Sequence, residues 1–529
     1  MGLNRRILIS VIVCLLPVLC LGKTITISPK RELQKQFSTK SATYIIKSNV
    51  DLGGDTLRVP ENSVLKFRRK GCLSNGIVLG DCTSFKQLSS RPRFSNIQFA
   101  GTFNIASIPY IVFGDYSDDT KLLRSMFGLL FSSIEECTLE LEPGRCYDID
   151  AAIKKYGHAI FEYYDKSYKT VNGNNSTIND LRTRTKVGYK TYDGVFLFSA
   201  CHNLTIKDLN YQNLNEDYVE IREGQQVKYK TGIENQLGYV GYAFIMLQDD
   251  CSNIGISSHI IGARYGVKYG DYSEYWVNGS KGLVNSKLEI DAKRTGYPVA
   301  IELGDSLDIF VHSETHHRAA YLCGVSHSNI EIEAKDIYIA PYHCLLSDTH
   351  YSKWEKGKPL FKSCSDVNVN FTELGSNIAT NGDCYCVGLQ TYDREAFFPR
   401  AKELVWNNIT INVRKAAPAS KVGLFAICRS YPKAKNSPLR FQDEFRNINI
   451  VAEDNYESEQ YCFRIRLNEY GVYDNVDITV NAPNATAIYD NCSNYSFDLS
   501  NVMVRSLNYA GKANIPQRLN ARAMRSTLK

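Results

Sequence analysis

Beyond Leu21 the 529-residue sequence has no apolar run long enough to cross a bilayer, and helix-forming runs are scarce. The first absence leaves no candidate for a second membrane-spanning helix. The second turns the expectation toward strands and turns. Charge of one sign is also lacking. The formal net charge is +6, and removing Arg5 and Arg6 with a leader leaves +4, too little to suggest nucleic acid as a partner. There is no phosphate-binding loop, no GxSxG elbow and no HExxH pair, so those reaction classes have no motif here.

Tyr is abundant at 34 residues, Asn is frequent, and there are 16 Cys. The N-terminus "MGLNRRILISVIVCLLPVLCLGK" has a basic start, an apolar stretch from Ile7 and small Gly22, so residues 1–22 are expected to be a signal peptide. Lipid attachment at Cys20 is the alternative, against which stands the large Leu19 before it. The mature chain is expected to be exported (periplasmic, at the cell surface or secreted), with no membrane span after cleavage. In that compartment Cys72/Cys82 and Cys137/Cys146 are the local pairs that could bridge.

Several other cysteines follow a rule. "CHNLTI" at 201, "CSNIGI" at 251, "CSDVNV" at 364 and "CSNYSF" at 492 each place Cys two residues before Asn or Asp, ahead of an alternating strand. The Asn or Asp is expected at a tight corner in left-handed geometry, with the Cys pointing inward. Strands with apolar residues at positions one, three and five recur from Leu288, Leu307, Ile330, Val367, Ile409, Ile448 and Val476. The shortest spacings, 288 to 307 and 307 to 330, are too short to close a core alone, so the units must stack as a parallel β-solenoid. A helix is expected at "SDDTKLLRSMFGLLFSS" from 117, capped by Asp118 or Asp119, covering an open end.

The segment "DDTKLL…TLELEPGRCYDI" and the coil "LFSACHNLTIKDLNYQN" resemble the pectate-lyase-like superfamily of right-handed parallel β-helices, which includes polygalacturonases and phage tailspikes. The resemblance covers roughly residues 111–505. It implies an all-β fold: a right-handed parallel β-helix over 111–510, an N-terminal capping helix, an extra β-rich module over 23–110 like those of similar proteins in gut Bacteroidota, and a basic tail over 511–529. The polygalacturonase motifs Asn-Thr-Asp, Gly-Asp-Asp, His-Gly and Arg-Ile-Lys are all missing, so that chemistry does not carry over.

Insertions near 269, 347, 391 and 430 are expected to line up as a wall of loops, with the bare coils 288–330 leaving a gap. Tyr272, Trp276, Lys353, Trp354 and Arg394 would stand at its edges to bind sugar faces and anionic groups. Its floor would hold Arg294, Tyr297, His316, His317, Arg318, Tyr342 and His343, with Glu302 facing outward and Asp305 either its carboxylate partner for hydrolysis or a residue that shapes the corner. His317, Arg318, Glu302, His343 and Tyr297 are the candidate catalytic residues. Arg294, His316 and Tyr342 join the edge residues as substrate contacts. Glu289, Asp308 and Glu331 are read as one outward column and Asp291 and Glu333 as another, a face that neutralises itself or, as the alternative, binds a sugar or a cation. His312, His316 and His317 lack metal-ligand spacing, so no metal or other cofactor is expected, with Ca²⁺ left open. The expected partner is a polysaccharide. The expected activity is cleavage of an anionic, uronic-acid-containing glycan by elimination or hydrolysis. The alternative is a non-catalytic glycan-binding or structural spike of the cell envelope.

Overall fold

The computed structural model describes residues 22–88, 91–151, 158–186, 193–222, 225–229, 237–270, 282–338, 340–348, 362–376, 384–391, 404–418, 422–429, 443–454, 456, 463–465, 472–481, 488–490 and 502–508. The chain divides into two compact units, Met1–Glu142 and Pro143–Lys529. Among the described residues, the α-helices are Leu33–Gln36 and Asp119–Ser132. No helix among them is long and apolar enough to cross a membrane.

The N-terminal unit is built on a seven-stranded sheet in which all the pairings are parallel. Leu65 and Leu73 are fully buried where these strands stack. The helix Asp119–Ser132 is capped by Asp118, whose side chain accepts from the Lys121 amide at 2.7 Å. It buries Leu122, Leu123, Met126, Phe127 and Leu130. Ser125 Oγ donates to the Ile97 carbonyl at 2.6 Å, tying the helix to the strand Phe94–Asn104.

The second unit is a parallel β-helix. One long sheet passes through the strands Ser167–Asp180, His202–Gln212, Cys251–Ile261, Leu283–Thr295, Gly304–His316, Val325–Ile337, Ser365–Glu373 and Val405–Lys415, each parallel to the next. A nine-stranded sheet takes the alternate strands, from Ala159–Tyr164 through Tyr297–Ile301, Ala320–Cys323 and Tyr342–Ser347 to Val422–Arg429. The long sheet buries one face. Along Leu283–Thr295, Leu288, Ile290 and Ala292 are buried while Lys287, Glu289 and Asp291 are exposed. The nine-stranded sheet is buried on both faces, as in Ala243–Gln248, where every residue is buried.

Corner chemistry explains the recurring Cys-x-Asn. Asn203, Asn253 and Asp366 have φ of 52°, 55° and 55°, and Cys201, Cys251 and Cys364 two places earlier are fully buried. Other rungs use the same corner with Asn285, Ser306, His327, Asn408, Asn447 and Asn475, all at positive φ. Asn tolerates this region because its short polar side chain finds a local partner. Asn253 Nδ2 donates to Asn203 Oδ1 at 3.0 Å, and Asn475 Nδ2 to Asn447 Oδ1 at 2.7 Å. Cys72 and Cys82 are free thiols, so the first of the two possible bridges does not form.

The register corrects the sequence alignment of the bare rungs. Leu288 pairs with Ile309 and Ile309 with Ile330, two equal steps of 21 residues (288 to 309 to 330), where the alignment gives 19 and 23. Leu307 pairs with Ser286. A slip of two residues keeps every apolar side chain inward, so periodicity alone does not reveal it.

Candidate functional site

The expected floor is split between the coil interior, the covered face of the nine-stranded sheet and a corner. His316 and His343 are fully buried inside the coil. Ser313 Oγ lies 3.1 Å from His316 Nδ1, and His316 Nε2 lies 2.9 Å from His343 Nδ1. His343 Nε2 lies 3.2 Å from Glu373 Oε2, with poor hydrogen-bond alignment. Glu373 is itself fully buried, and its other oxygen accepts from the Gly375 and Ser376 amides and the Ser376 hydroxyl. Burial holds both imidazoles below their ordinary pKa, outweighing the Glu373 carboxylate beside His343. The alternation that reads these histidines as a floor breaks at the corner, where the chain turns and polar side chains enter the core.

His317 is 6% exposed, with Tyr239 and Tyr297 rings edge-on at 5.5 and 5.1 Å. Burial, then the neighbouring Arg318 charge, push it down to about 3. Arg318 lies over the Tyr321 ring at 5.2 Å. Tyr297 stacks on Tyr265 at 4.9 Å and Tyr342 on Tyr385 at 5.9 Å. Glu302 is buried with Lys268, their charged atoms 3.7 Å apart, rather than facing water. The expectation took the second face of this sheet as open, and it is covered. Asp305 accepts from Ser326 Oγ at 2.6 Å and lies 2.7 Å from His327 Nδ1, which makes it a corner residue and no partner for Glu302. Arg294 makes a two-pronged contact with Glu216 at 2.7 and 2.8 Å. Tyr272, Trp276, Lys353, Trp354 and Arg394, and the four insertions, lie outside the described residues.

The open face of the long sheet carries a groove of about 560 Å³. Two transverse rows of side chains form its floor. Ser257, Glu289, Phe310 and Glu331 are successive register partners on four adjacent strands. His259, Asp291, His312 and Glu333 are the next row. Asn175, Asp208 and Asn210 continue the lining. Asp308 belongs instead with Lys287 and Asn329, so the expected column of Glu289, Asp308 and Glu331 is corrected to one with Phe310 in the middle.

The rows are electrostatically patterned. His259 Nδ1 lies 2.7 Å from Asp291 Oδ2, and His312 Nδ1 lies 3.5 Å from Glu333 Oε2. Lys287 Nζ holds Glu289 Oε1 at 2.6 Å and sits 5.5 Å from the Phe310 ring centre. Phe310 is 38% exposed, an apolar ring among carboxylates. Strands lie about 4.8 Å apart, so Glu289 and Glu331, with one strand between them, start roughly 10 Å apart at the backbone. That backbone spacing is close to the upper end of the roughly 6.5–9.5 Å between the carboxyl groups of inverting glycosidases. Among the described residues, no group of three or more His, Cys, Asp or Glu is arranged to hold a metal ion. Sequence reasoning marked the acidic positions but missed Phe310 and His259, which the shared corner of Asn285, Ser306 and His327 would have brought into line. It also missed the antiparallel strands Tyr218–Arg222 and Gln225–Tyr229, inserted after His202–Gln212.

No family model and no curated protein matches the chain. Solved structures do. The catalytic domain of a GH87 alpha-1,3-glucanase in complex with tetrasaccharides is similar at 9% identity and a TM-score of 0.33, over 93% of this chain and 69% of that one. A family 28 exopolygalacturonase of Yersinia enterocolitica is similar at 10% identity and 0.25, over 81% and 78%. A tailspike protein mutant of an E. coli bacteriophage, in complex with a pentasaccharide, is similar at 11% identity and 0.33, over 91% and 74%. These likenesses carry no substrate and no residue role to this chain. The parallel β-helix architecture of this chain rests on its own strand register.

Proposed function

We propose that this protein is an exported glycan-active β-helix protein that hydrolyses its substrate in the groove of the long sheet. The observation that carries this reading is the floor itself: an exposed aromatic ring, Phe310, set between Glu289 and Glu331, with Asp291 and Glu333 in the row beside it. An apolar ring suits stacking against a sugar face. Two carboxylates across the bound chain supply the acid that protonates the leaving oxygen and the base that activates water. Elimination would need a cation at the substrate's carboxylate, and among the described residues expected to supply it, His316, His317 and His343 are buried and Arg294 is paired with Glu216. Export rests on the N-terminal leader pattern.

The purified mature protein is to be incubated with a panel of polysaccharides, following reducing ends and, separately, the ultraviolet absorbance of unsaturated uronates. Reducing ends without absorbance are expected. E331Q or E333Q, both at exposed positions, is expected to lower kcat at least about 100-fold. Absorbance would replace hydrolysis by elimination. Binding without cleavage on any glycan would leave a non-catalytic spike or adhesin. Unchanged kcat in both variants would move the chemistry out of this groove.

A further inference from the structure

We infer that the groove selects an uncharged glycan and excludes uronic acids, seating a neutral sugar ring on Phe310; this rests on the reading of the groove as the glycan site. Among the described residues, the lining contains Asp208, Glu289, Asp291, Glu331 and Glu333, and no lysine or arginine. Of the outward-facing lysines at its margin, Lys287 is engaged by Glu289 and the Phe310 ring, Lys293 faces Glu314, and Lys207 stands one strand outside the lining, beside Ser257. His259 and His312 face Asp291 and Glu333 in the same way.

Ionised carboxylates only accept hydrogen bonds. They match the hydroxyl donors around the rim of a neutral pyranose. A uronate would present further acceptors of like charge, with no cation to meet them, and like charges brought together across an interface are disfavoured. The ring of Phe310 covers the remaining apolar sugar face. Charge and shape therefore point to the same ligand class, an uncharged glycan in place of the anionic one expected from sequence. Of the cations behind that expectation, Arg294 is held by Glu216, Arg318 lies over the Tyr321 ring, and Lys353 and Arg394 lie outside the described residues.

The test uses oligosaccharide pairs of identical linkage, one member a uronic-acid oligomer and the other its carboxyl-reduced form, in a binding titration with the full mature chain. The reduced member is expected to bind at least about tenfold more tightly at low salt, with the gap narrowing as salt screens the groove. E289Q/E331Q is expected to narrow it as well. Phe310→Ala is expected to lose neutral-glycan binding about tenfold or more, and Phe310→Tyr to retain it, which separates stacking from a structural role. A uronate member bound as tightly as its reduced partner, with F310A still impairing binding, overturns the selectivity and leaves the groove as the glycan site. Binding untouched by F310A, or no binding in either form, overturns both.

Discussion

Inside the coil, Ser313, His316, His343 and Glu373 line up as a chain: Ser313 Oγ and His316 Nδ1 share one hydrogen bond, His316 Nε2 and His343 Nδ1 another, and the Glu373 carboxylate approaches His343 Nε2 to 3.2 Å. Burial holds His316, His343 and His317 below their ordinary pKa in the folded state, while the unfolded chain takes up protons near pH 6.5. The unfolded state binds more protons as pH falls, so stability is full above about 6.5 and declines below it, toward about 3 for His317. Each histidine contributes a slope of up to about 1.4 kcal/mol per pH unit. Urea midpoints measured at pH 7.5, 6 and 5 should fall steadily, and H343L should flatten the fall even though it lowers stability at pH 7.5. A midpoint independent of pH between 7.5 and 5 would show that these rings titrate normally. This chain was not legible in the sequence: polarity marks His316 and His343 as surface residues, and only the corner geometry turns them inward.

The rung is the element on which the architecture turns, and its corner was legible to the residue. Cys-x-Asn placed the left-handed position and the inward thiol correctly, because both requirements are local. Burial raises Cys201 to about 11 and Cys251 to about 12, which leaves them inert space-fillers. Asn253 in the left-handed region at φ 55° should be replaceable by Gly at little cost, while Asn253→Ala should lose about 1–2 kcal/mol, from backbone strain together with the lost bond to Asn203. Chemical denaturation of the two variants tests this, and equal stability of Ala and Gly would contradict it. Register between rungs was less legible. Within one strand, alternation says which side chains face out. It does not say which outward residue stands beside which, because a two-residue slip preserves the pattern. That ambiguity hid Phe310 between Glu289 and Glu331.

Across the whole second unit, rungs are nearly interchangeable, each resting only on its neighbours. The pairing of Gly304 with Val325 defines one complete rung, residues 304 through 324. Deleting those 21 residues joins Leu303 to Val325 with the register intact. The shortened protein should fold cooperatively, yet lose glycan binding because Phe310 and His312 leave with the rung. Deleting one residue fewer, from 305 through 324, should turn the next strand's apolar face outward and abolish folding. Circular dichroism and a binding titration on the two deletions provide the check; an unfolded 304–324 deletion would show that rungs depend on more than their neighbours. The parallel coil itself was plain in the sequence, since repetition averages over local noise. The groove was not, because it exists only where several rungs meet. Rung modularity also bears on descent. An in-frame tandem duplication of one 21-residue segment would insert a second aromatic platform beside the first, about one strand spacing away, so the reach of the binding surface could grow by copying errors in DNA before any side chain had to be reinvented.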